Sequence, residues 1–161
     1  MLHLHPPIVH FAIVLPIIAL ILGIAYLIKP SELMSKISTR FMFFATLFIV
    51  AAFFTGKAAG AEAFILLPTE GQELLKSHKN LGLYLMVGMA VATIFKFVGC
   101  FKRLMKSEVL AILILAILSV GILYQGKTGG ELTFTYGANV ANHSDGMDCL
   151  ADPNDFIDEE K

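Results

Sequence analysis

The sequence predicts an all-α integral membrane protein, a four-transmembrane-helix bundle with a short extracytoplasmic strand-like tail. Three observations carry this. The chain of 161 residues is 57% hydrophobic and only 16% charged, with a mean hydropathy of +0.75. Ordinary soluble domains are about half apolar and a quarter charged. Four apolar stretches are each long enough to cross a hydrocarbon core of about 30 Å. The segments between them hold half of the Lys and Arg residues. A net charge of −1 gives no electrostatic basis for nucleic acid binding, so the expected partner is the lipid bilayer.

The first stretch runs from about Pro6 to Ile28. Pro6 and Pro7 have φ fixed near the helical value and lack N–H groups that a first turn leaves unpaired, so they suit a helix start. His5 precedes a proline and is expected to be extended, leaving His3 and His5 outside the helix. His10 lies about one turn inside, roughly 6 Å along the axis from Pro6. It is therefore an ionisable group at the rim of an uncharged segment, which marks it for function. Pro16 removes a bond to the carbonyl of Ala12 and is expected to kink the helix. No Lys or Arg opens the chain and no small-residue cleavage site follows, so the stretch reads as a retained helix and not a signal peptide.

The second stretch runs from about Thr39 to Ala61 and ends in Gly56-Lys57-Ala58-Ala59-Gly60. This small-xxx-small spacing lets a neighbouring helix approach closely, within one chain or in a homo-oligomer. The third helix is expected to begin before the membrane, where Thr69-Glu70-Gly71-Gln72 has capping-box spacing. It then passes through Ser77-His78-Lys79 into the apolar run Leu81–Phe101. His78, Gly82, Leu85, Gly88, Met89 and Ala92 follow i, i+3/i+4 spacing along one face. The fourth stretch runs from about Leu104 to Tyr124, and the bundle is expected to end at residue 128.

Residues 129–161 form the expected tail. Gly129-Gly130 is a turn signal, and Glu131–Tyr136 alternates polar with apolar residues, the pattern of one strand on the bundle mouth. Beyond Gly146 the acidic run Asp148 to Glu160 cannot bury enough apolar surface to order itself. Order is thus expected to about Val140 and flexibility after it.

Seven positive residues (Lys29, Lys36, Arg40, Lys96, Lys102, Arg103 and Lys106) fall on one side in the two loops after the first and third helices. The positive-inside rule puts those loops in the cytoplasm and both termini outside. Cys100 and Cys149 then lie on opposite sides, which excludes a disulfide, and no cysteine pair has metal-ligand spacing.

With this topology His10 and His78 start near the same membrane face, each on a bundle helix. Two neutral imidazoles suit haem iron, zinc or copper. Haem b is the better match to an apolar four-helix interior, because its macrocycle buries a large apolar face and its iron accepts histidine axially. The candidate cofactor ligands are therefore His10 and His78, and the expected function is a b-type haem protein transferring electrons at the outer face. Two alternatives stay open: a cofactor-free accessory or structural subunit, and an outer-face copper- or zinc-binding protein. His3 and His5 read as exposed terminal residues that could complete a metal site with His10. His143, Asp145 and Cys149 match no zinc spacing. A phosphate loop, a nucleophile elbow and a Ser-His-Asp arrangement are all missing from the sequence. An electron carrier or accessory subunit is favoured over a stand-alone enzyme.

The opening His5-Pro6-Pro7-Ile8-Val9-His10-Phe11 resembles the HPxxVHFP-type start of the bacterial DUF2231 family. Gly129-Gly130-Glu131-Leu132, followed by Tyr136-Gly137-Ala138-Asn139-Val140, resembles that family's GGxL…HGxxV ending. Ala12 stands where the family usually has proline, and Tyr136 where a histidine often precedes the late glycine. The resemblance spans about residues 5–140. It implies a four-helix protein of the bacterial inner membrane. Relatives joined to redox modules further imply an electron-transfer setting with a periplasmic redox partner.

Overall fold

The computed structural model describes residues 4–140. His3, His143, Cys149 and the acidic run after Gly146 lie outside the described residues. Four helices follow in order: α1 (His5–Ile28), α2 (Glu32–Phe64), α3 (Thr69–Lys102) and α4 (Met105–Phe134). Loops of two to four residues join them, short enough to force antiparallel neighbours. Each helix packs on its sequence neighbours and α4 closes against α1, leaving α1/α3 and α2/α4 as the diagonals of a square. All four helices are long and apolar enough to cross a membrane. The protein is an all-α four-helix membrane bundle.

The interior is small and partly polar, whereas the outside is apolar. Ala12, Ala19, Ala45, Ala92, Met42, Met89 and Leu115 are buried, while Ile21, Phe44, Phe54, Ile94, Ile117 and Val120 are exposed. A soluble bundle would do the reverse. With lipid as solvent there is no hydrophobic drive between helices, so close packing of small residues and interhelical hydrogen bonds join them. One such bond links Thr46 Oγ1 to Thr93 Oγ1 at 2.7 Å between α2 and α3.

Three elements differ from expectation. Helices α2 and α4 extend well beyond their apolar stretches. A helix of 33 residues is about 50 Å long, so its polar ends project past a core of about 30 Å. The start of α2 is fixed by Ser31, whose Oγ accepts from the Met34 N–H at 3.2 Å, and by the Glu32–Lys36 ion pair one turn on. At α3 the cap is Pro68 and not Thr69, without a side-chain cap bond. The Gln72 amide instead donates to the Leu67 carbonyl at 3.0 Å.

The expected strand is helix. Gly129 and Gly130 lie inside α4, which continues past residue 128 to Phe134. Among the described residues there is no strand. Leu132 explains the preference, because as part of the helix it is buried with Ala63, Leu67 and Ala138 at the mouth of the bundle. Two glycines cost helix propensity of about 1 kcal/mol each, which packing of that face offsets. The turn comes later, at Gly137 with φ +70°. There the Ala138 N–H donates to Leu132 O at 2.9 Å and the Gly137 N–H to Thr133 O at 3.1 Å.

Candidate functional site

The first turn of α1, the last turns of α2, the early turns of α3 and the end of α4 meet at one end of the bundle. His5 enters this end from α1. It is the first residue of that helix, with Pro6 and Pro7 in the opening turn, so the proline that was expected to exclude it instead follows it into the helix. Its Nδ1 lies 3.1 Å from Thr55 Oγ1 on α2. His78 enters from α3, with Nδ1 2.7 Å from Thr128 Oγ1 on α4. Each imidazole thus bridges one pair of neighbouring helices. The two histidines stand on the diagonal helices α1 and α3, within electrostatic range of one another.

Each threonine hydroxyl also lies within hydrogen-bond distance of a helix carbonyl. Thr55 Oγ1 donates to the Ala51 carbonyl at 2.8 Å, and Thr128 Oγ1 donates to the Gln125 carbonyl at 3.1 Å. A hydroxyl has one proton, so where it goes to that carbonyl the threonine accepts from its histidine. In that arrangement each neutral ring carries its proton on Nδ1 and its lone pair on Nε2. This is the arrangement in which an outer hydrogen bond orients a ligating imidazole.

Glycines make room for the rings. A Cβ at Gly56 would stand 2.7 Å from His5 Cε1, and one at Gly129 would stand 3.2 Å from His78 Cε1. Gly56 was expected to admit a helix backbone; it admits an imidazole. Gln125 adds a polar wall: its amide donates to the His78 carbonyl at 2.9 Å. Its Oε1 is buried without a hydrogen-bond partner among the described residues. Buried acceptors are rarely left unsatisfied. A bound group or a water with a donor would satisfy it.

His10 is elsewhere. It is exposed on the outer side of α1, and its Nδ1 donates to the Pro6 carbonyl at 2.7 Å. The structure does not bring it to His78; the histidine opposite His78 is His5. The signal that singles out His5 is the buried stripe of α1 at Ala12, Pro16, Ala19, Gly23 and Tyr26. It runs in steps of three and four, and seven residues back from Ala12 it reaches His5, not His10. On α3 steps of seven link Gly71, His78, Leu85, Ala92 and Gly99. Among the described residues no group of three or more His, Cys, Asp or Glu side chains could hold a metal ion.

The opposite end holds a second polar centre absent from the sequence reading. Lys96, expected with the cytoplasmic loop cations, is 1% exposed, as is Glu108. Their side chains form a buried ion pair, and Ser35 Oγ donates to the other carboxylate oxygen. The ammonium also lies 4.8 Å from the centroid of the Tyr26 ring, a cation–π contact. One residue from each helix meets here. Lys96 was legible as part of the α3 stripe, four residues beyond Ala92, but its charge argued for a loop.

The model of the family described as predicted membrane protein (DUF2231) matches residues 2–142. No curated protein and no solved structure matches the chain. The family match covers all four helices and both histidine–threonine pairs. The chain belongs to the DUF2231 family of predicted membrane proteins.

Proposed function

We propose that the protein binds b-type haem between His5 and His78 and serves in electron transfer at the membrane face where both termini lie. The observation that supports this best is the pair of histidine–threonine hydrogen bonds, each engaging Nδ1 and leaving Nε2 without a hydrogen-bond partner among the described residues. Two donors of one kind suit the two axial positions of haem iron, whereas structural zinc sites use four protein ligands.

In this reading haem supplies the one-electron chemistry. His5 and His78 hold the iron, and Thr55 and Thr128 prevent the rings from turning. The apolar outer helix faces exclude water from the edges and shield the site with lipid. With Lys96 withdrawn into the core, six cations (Lys29, Lys36, Arg40, Lys102, Arg103 and Lys106) flank the other end. This supports a cytoplasmic placement of that end and so a periplasmic placement of the histidines, in a bacterial inner membrane. A periplasmic redox protein would be the partner.

Absorption spectroscopy of detergent-purified protein from haem-replete cells tests this. A Soret band is expected, lost or converted in His5→Ala and His78→Ala and kept in His10→Ala. If the wild-type protein has no haem absorbance and takes none up on titration with hemin, the proposal fails. Copper or zinc by elemental analysis without a Soret band would replace haem by a metal ion, and neither would leave an accessory subunit.

A further inference from the structure

A cavity of about 420 Å³ opens between α2 and α3 at the end of the bundle away from the histidines. Its polar rim is formed by Glu32, Lys36, Arg40 and Arg103, and its apolar wall includes Phe97 and Phe101. The rim carries three cations and one carboxylate. Glu32 is engaged twice, by Lys36 Nζ at 2.6 Å and by an Arg103 Nη2 at 2.8 Å. Arg40 forms no ion pair among the described residues. Arg103 is held there by its backbone, since it ends α3 in the left-handed region at φ 53°. That conformation is unusual outside glycine and marks a position set by its surroundings. Below the rim, the Phe97 and Phe101 rings stack at 5.9 Å with an interplanar angle of 11°, and Phe101 is 80% exposed to the surrounding phase.

We propose that this cavity binds the phosphate headgroup of an anionic membrane phospholipid. The phosphate would sit between Arg40, Lys36 and Arg103, and an acyl chain would lie along Phe97 and Phe101. Charge complementarity selects the occupant, because the rim has a surplus of two positive charges and arginine pairs with phosphate through two parallel N–H bonds. The wall selects its source. A free phosphate gains nothing from two stacked phenylalanines that already face lipid, whereas a phospholipid fills both halves. Basic pockets between transmembrane helices bind headgroups in this way. The site is independent of the haem reading, at the other end of the bundle.

Native mass spectrometry of the full-length protein in detergent, titrated with phosphatidylglycerol or phosphatidylcholine, tests the proposal. Phosphatidylglycerol should be retained over phosphatidylcholine, and Arg40→Gln should reduce its retention about fivefold, the worth of one cation near a membrane surface. Arg40→Lys, which keeps the charge but not the paired N–H bonds, should fall between the two, and Lys79→Gln at the other end should change nothing. Equal retention of the two lipids, or no effect of Arg40→Gln, would overturn the site. Displacement of phosphatidylglycerol by millimolar inorganic phosphate would overturn the lipid as occupant and make soluble phosphate the ligand.

Discussion

At the scale of single residues, the histidine end is built from pairs in which a threonine hydroxyl holds an imidazole at its Nδ1. Replacing Thr55 or Thr128 by valine keeps the shape and removes the acceptor. Losing such an outer hydrogen bond typically costs 10–100-fold in affinity of a ligated metal. Thr55→Val and Thr128→Val should therefore weaken hemin binding by about that factor in a spectroscopic titration, while the helical circular dichroism stays unchanged. Equal affinity in both variants would mean that the threonines do not set the ligands. Gly56→Ala should be more damaging than Gly129→Ala, because its Cβ would meet His5 Cε1 at 2.7 Å against 3.2 Å at His78. The same titration ranks them.

At the scale of elements, the buried Lys96–Glu108 pair ties α3 to α4, and Ser35 extends the tie across the diagonal to α2. Removing one partner leaves an uncompensated buried charge, which costs about 3–5 kcal/mol, whereas replacing both by apolar residues of similar volume is often neutral or stabilising. Lys96→Met alone and Glu108→Leu alone should lower the melting temperature in detergent, and the double variant should recover most of the loss. Additive destabilisation in the double variant would contradict this. The two-residue loop between α3 and α4 brings Gly99 so close that a Cβ would stand 2.6 Å from Glu108 Cγ and 2.9 Å from its backbone nitrogen. Backbone cannot swing aside as a side chain can, so Gly99→Ala should destabilise by about 1–3 kcal/mol, read in the same melts.

At the scale of the whole molecule, the two polar centres lie at opposite ends of a bundle whose outer surface is apolar. Six exposed cations gather at the ion-pair end, and the cost of translocating short basic loops sets the expected orientation. A reporter that is active only outside the cytoplasm, fused after Lys161, should be active; activity of a cytoplasm-only reporter at that position would invert the assignment. Inversion would leave the bundle unchanged and move the proposed haem to the cytoplasmic face.

The number of helices, their membrane character and much of their register were determined locally. Each apolar run is long enough to span, and each carries a repeat of three and four small or apolar residues that names its buried face, as at Leu85, Met89 and Ala92. The DUF2231 motifs at both ends lie within the matched region. What the sequence could not decide were choices that depend on partners from other helices. Pro6 argued that His5 stays outside the helix, but Thr55 and the space over Gly56 hold it inside. Gly129-Gly130 and the alternation after it argued for a turn and strand, but Leu132 gains a buried site only if α4 continues. Lys96 argued for water, and Glu108, Ser35 and Tyr26 from three other helices made burial tolerable. In each case local chemistry stated a preference, about 1 kcal/mol for a glycine within a helix and several for a buried charge, and contacts from distant residues outweighed it.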